Sequence, residues 1–141
     1  MLVVGLRAQT NDAPKWMTVT SERNVEDTVV YQALSDFGGK HYETAVYGRD
    51  LESVVKWEDG KELPISISSV KSTAQKAFQK EFPQFSKFKI TSINLIHTTL
   101  IEDWIIQVEF TDTDADVSED KRIEILVLLN GHAITPTETP K

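Results

Sequence analysis

The chain has 141 residues, 40% of them hydrophobic and 26% charged, and its 15 Lys and Arg against 22 Asp and Glu leave a net charge of −7. That is the composition of one globular domain able to bury its own core, which excludes a disordered chain, and no apolar run reaches the ~18 residues of a membrane helix. The absence of cysteine excludes disulfides, thiolate nucleophiles and cysteine-ligated metal centres, and a pI near 4.9 argues against nucleic-acid binding, which rests on a basic surface.

Residues 1–15 read as a leader. Leu2 to Leu6 followed by Arg7 and the small Ala8 has the shape of a truncated secretory signal, the alternative being a short first strand or a disordered stub. Residues 9–15 are polar with a proline and read as flexible. A single domain is expected over residues 16–136, with 137–141 as a polar tail. Trp16 to Thr20 alternates as a strand. From Asn24 to Gly39 the chain supports two readings. Val29, Val30, Ala33, Leu34 and Phe37 make a helical stripe with Asn24 as N-cap and Gly38 as stop, and this is the preferred reading. The β-prone run Thr28 to Tyr31 supports the other, a hairpin turning at Gly38-Gly39. His41 to Tyr47 and Leu51 to Trp57 are expected to be strands, the second closed by an Asp59-Gly60 turn.

The clearest element is an amphipathic helix over Ser69 to Phe82. Val70, Ala74, Ala77, Phe78 and Phe82 lie at helical spacing, Ser68 or Ser69 can cap it, and Pro83 ends it. Three strands follow in an antiparallel meander. Phe88 to His97 changes phase, which predicts a bulge near Thr91-Ser92. Trp104 to Thr111 and Ile123 to Asn130 alternate, and Asn130-Gly131 turns the chain back through His132 to Ile134. Charge is uneven along this order: residues 61–89 carry six basic and two acidic groups, while residues 90–141 carry three and ten. The lysines of the basic island read mainly as a solvated helix face.

No constellation specifies a reaction. Asp112, Asp114 and Asp116 begin like a calcium loop, but Val117 stands where the loop needs glycine and Ile123 where it needs a bidentate glutamate. The expected role of these carboxylates is a solvated loop and, with Trp57, contact with a partner. His41, His97 and His132 have no pairing that places two imidazoles on one face, and no phosphate-cradling glycine loop or nucleophile elbow is present. No metal or cofactor is expected.

Leu63-Pro64-Ile65-Ser66 leading into a helix with Ala74 and Ala77, then Phe82-Pro83, Ser92-Ile93, Trp104 to Phe110, Val127 to Gly131 and Pro136, resembles the PepSY-like group of small secreted bacterial proteins over residues 63–136. The resemblance implies a cystatin-like α+β fold, a helix across a curled antiparallel sheet, and a non-enzymatic role. The resulting expectation is an acidic binding or inhibitory module outside the cytoplasm, with a protease or envelope component as partner. Its expected contact surface is the sheet face bearing Ile105, Leu126 and Leu128. Two alternatives stand beside it: a cytoplasmic immunity-type binder of a basic toxin, and a cystatin-like enzyme or carrier using Glu109 beside His97.

Overall fold

The computed structural model describes residues 25–98, 103–114 and 121–141. Among the described residues seven strands and one long helix run in the order β1 (Val29–Phe37), β2 (Lys40–Tyr47), α1 (Ile67–Glu81), β3 (Phe88–Thr98), β4 (Asp103–Asp112), β5 (Arg122–Leu128), β6 (Ala133–Ile134) and β7 (Thr137–Pro140). They make an α+β fold of two antiparallel sheets, ordered β1-β2-β7 and β3-β4-β5-β6, on which the one helix packs. Trp16 to Thr20 and the residues before it lie outside the described residues.

The segment read as a helix is β1 of a hairpin. Gly38 and Gly39 sit at φ +60° and +74°, the left-handed pair that a two-residue turn matching strand twist requires. The ambiguity has a simple origin. Ala33 and Phe37, both buried, are four residues apart, which places them on one face of a helix and equally on one face of a strand. The decisive residues are Val29 and Leu34, 43% and 50% exposed, which a helix would have carried inward. A register shift between Val29 and Tyr31 then puts Tyr31, Ala33, Ser35 and Phe37 on the inner side. On β2 the inner set is Tyr42, Thr44 and Val46.

The expected strand from Leu51 to Trp57 is absent. Gly48–Leu51 forms a 3-10 turn instead, because Asp50 Oδ2 accepts the Tyr47 N–H at 2.8 Å and Gly48 N–H is held by Thr28 O at 2.9 Å. Leu51 and Val54 are buried while Val55 is 56% exposed, a spacing of three that belongs to a turn. The Asp59-Gly60 turn forms as expected.

Helix α1 is capped by Ser66, whose Oγ accepts Ser69 N–H at 3.1 Å, rather than by Ser68 or Ser69. Val70, Ala74 and Phe78 are buried on its inner stripe, and Phe82 closes it before Pro83. Phe78 stacks on Phe110 with centroids 4.2 Å apart. The helix therefore covers the face of Trp104, Ile106, Val108 and Phe110. The three strands form the expected antiparallel meander, and the shift between Ile90 and Ser92 is the bulge that the change of phase requires.

The hairpin β1-β2 packs against the opposite face and along β5. Leu128 N–H reaches toward β6, donating to His132 O at 2.9 Å, so the carbonyls of Arg122 and Glu124, of the same parity, point to that edge beyond the end of the two-residue β6. Side-chain hydroxyls meet them: Ser35 Oγ donates to Arg122 O and Thr44 Oγ1 to Glu124 O at 2.9 Å. An otherwise open edge is thereby closed without a strand. Residues 137–141 were expected as a tail, but Thr137–Pro140 pairs with Lys40 to Glu43 as β7, and Lys141 N–H donates to Gly39 O at 3.0 Å. Every residue of β7 is exposed, so backbone pairing and the Lys40–Glu138 ion pair at 2.8 Å hold it, and hydropathy carried no sign of it.

Candidate functional site

The residues expected to touch a partner do not converge. Trp57 is half-buried, with Nε1 donating to Lys61 O at 2.9 Å and its ring edge-on to Trp104 at 5.0 Å. Asp112 ends β4, and its Oδ1 accepts Asp114 N–H at 2.9 Å. Asp114 is exposed and pairs with Lys87 at 3.3 Å. Asp116 lies outside the described residues, and among the described residues no group of His, Asp and Glu is arranged to hold a metal. His97 stacks on Trp104 at 4.6 Å, opposite it in the ladder, whereas Glu109 lies opposite Ser92. Five strand residues separate the two, about 16 Å, so the acid and base postulated from sequence are not neighbours.

The sheet face proposed as a contact surface is interior. Ile105 and Leu126 are 0% exposed and Leu128 1%, because the N-terminal hairpin packs over them. Polar residues on this face are engaged with one another. Gln107 Nε2 donates to Tyr31 Oη at 3.2 Å and also to Glu124 Oε1, Asn94 Nδ2 donates to Gln107 Oε1 at 3.0 Å, and Tyr31 Oη donates to Glu124 Oε1 at 3.3 Å. The network locks hairpin to meander.

Burial, reinforced by the Glu124 carboxylate, pushes the Tyr31 phenol up to about 12. A phenol free in the unfolded chain ionises near 10, so the folded state holds the proton more tightly. The stability this confers is complete below about pH 10 and is lost between about pH 10 and 12. Burial also raises Tyr42, which adds to the same decline. Tyr31→Phe is expected to cost about 1 kcal/mol at neutral pH and to flatten the fall in urea midpoint across that alkaline window. An unchanged alkaline slope would show that the network does not hold the proton.

A concavity lies on the other side of the molecule, between α1 and the start of β3. It encloses about 670 Å³, within the usual range for ligand clefts. Its floor is aromatic: Phe78, Phe82 and Phe110 are buried, and Phe85 and Phe88 are half-buried, the last two stacked at 4.9 Å. The groove exists because α1 packs on β4, β5 and β6, leaving Ile90 and Ile93 of β3 half-buried and Leu95 37% exposed. Among the described residues β3 is also an edge strand, eleven residues long with Lys89 as its one Lys, Arg, Asp or Glu. Such a site can take an apolar side chain on its floor and a peptide backbone along its edge.

The helix lysines are exposed and Phe78, Phe82 and Phe110 are buried, as the sequence predicts; that they border a groove is what sequence reasoning missed. The available signal was the stripe Lys71, Gln75 and Gln79, four residues apart and adjacent to Phe78 and Phe82 on the helix wheel. Comparison with known protein families, curated proteins and solved structures finds no match to the chain.

Proposed function

We propose that the chain is a non-enzymatic binding module that holds an extended polypeptide segment in the groove between α1 and β3. One observation carries the reading: an aromatic-floored groove runs beside a long edge strand whose outer hydrogen-bonding groups face no other described strand. Strand addition supplies affinity through the backbone, and the neighbouring groove supplies selectivity through alternate side chains. The polar clusters elsewhere bind the protein's own elements together, as in the Tyr31, Gln107 and Glu124 network. That usage fits a binder better than a catalyst.

The PepSY-like, cystatin-like assignment belongs to the same proposal, supported by the order of one helix followed by three antiparallel strands. A protease or envelope component is the partner class that this assignment implies. An extracytoplasmic location rests on the signal-like residues before Gln9.

Selection of a random peptide library on the immobilised protein tests the reading. Gln75 is an exposed helix residue lining the groove, so Gln75→Trp fills the cleft from outside while leaving the core intact. Selected peptides are expected to bind this variant at least about tenfold more weakly, roughly 1.4 kcal/mol. Peptides that bind it as tightly as the parent protein would place the binding surface elsewhere.

A further inference from the structure

We infer that the segment held in this groove is acidic, with a bulky apolar anchor flanked by carboxylates. The inference rests on the polypeptide-binding reading above and adds the partner's chemistry. Lys71 stands on the helix wall and Lys89 on the strand wall, and no Asp or Glu lines the cleft. In a chain of net charge −7, a lining with two cations and no anion is a local reversal of sign. Four other lysines are neutralised, Lys87 by Asp114, Lys61 by Glu58, Lys56 by Asp103 and Lys40 by Glu138, while Lys76 and Lys80 of α1 do not line the cleft. Among the described residues Lys71 and Lys89 form no ion pair.

Gln75 and Gln79, between the lysine and the floor, present amides that both donate and accept, as a peptide backbone requires. In an extended segment, residues i and i±2 share one face. An apolar side chain at i can therefore rest on Phe85 and Phe88 with a carboxylate at i±2 directed toward Lys71, whereas the side chain of Lys89, between Phe88 and Ile90 in the alternation of β3, leaves from the opposite face and adds positive charge at the strand edge. A fatty acid also combines apolar and anionic character, but it would leave the outer edge of β3 without hydrogen-bonding partners.

The test titrates isotope-labelled full-length protein with three probes while amide shifts are followed. One is an undecapeptide of alternating Glu and Thr with a central Phe, placing Glu at i±2. The second carries Lys for every Glu, and the third is laurate. The acidic peptide is expected to shift amides of β3 and of residues 71–82, to bind about tenfold more tightly than the basic one, and to weaken with added salt. The double variant Lys71→Glu, Lys89→Glu, whose substitutions are both on exposed side chains, is expected to reverse that preference while keeping the spectral dispersion of a folded protein. Equal binding of both peptides in the groove would overturn the charge assignment and leave the polypeptide-binding reading standing. Laurate binding there with neither peptide doing so, or peptide shifts confined to another surface, would overturn both.

Discussion

Leu126→Asp is expected to abolish cooperative folding. Leu126 is 0% exposed, on the face of β5 that the N-terminal hairpin covers. The substitution removes about 2 kcal/mol of apolar burial and places a carboxylate in the layer between hairpin and sheet, adding several kcal/mol more. Together these approach the whole net stability of an ordinary domain, about 5–15 kcal/mol. The expected observation is a flat thermal trace by near-ultraviolet circular dichroism, with poor amide dispersion. Leu95→Asp is the control, since Leu95 is 37% exposed on the edge strand; it is expected to cost about 1 kcal/mol and to leave a sharp transition. A folded Leu126→Asp protein would mean that this face is open and available to a partner.

The second large effect is at the base of the groove. Phe78 is 4% exposed and stacks on Phe110 at 4.2 Å with planes 10° apart, while its ring also lies 5.4 Å from Phe82 and 5.7 Å from Phe88. Phe78→Ala empties a site that rigid neighbours on helix and sheet cannot collapse to fill. The expected loss is about 3–5 kcal/mol, a fall of about 2 M in the urea midpoint for a domain of this size. Phe78→Leu restores most of the volume and is expected to recover more than half of that loss. A loss below about 1 kcal/mol for Phe78→Ala would show that the ring is not part of the packed core. Because the same ring forms the groove floor, the alanine variant is also expected to weaken peptides bearing an aromatic anchor.

The sheet face expected to be open is buried, and a cleft lies beside α1 instead, for a physical reason. Alternation along β4 and β5 identifies two faces and their apolar content, but not what lies over each. Ile105, Leu126 and Leu128 looked like surplus apolar surface because the segment that covers them was read as a helix of its own. The lysine and glutamine stripe of α1 is exposed as its periodicity predicts, but periodicity cannot show that a cleft opens between the helix and the strand beside it. Trp57, Asp112 and Asp114 were legible as residue types, yet the first packs on Trp104 and the others sit by Phe88 and Lys87.

What the sequence determined by itself was local: the stripe and stop of α1, the phase change that makes the bulge at Thr91, the alternation of β4 and β5, and the Asn130-Gly131 turn. Each depends on residues within a few positions of one another, where sterics and periodicity act directly. The tertiary structure decided the rest. It chose strand over helix for Val29–Phe37, since burying Ala33 and Phe37 satisfies either form and only the partner surface separates them. It made the exposed Thr137–Pro140 a strand through hydrogen bonds to β2, and it left β3 uncovered beside α1, because helix placement follows the packing of Phe78 on Phe110, a contact between residues 32 positions apart.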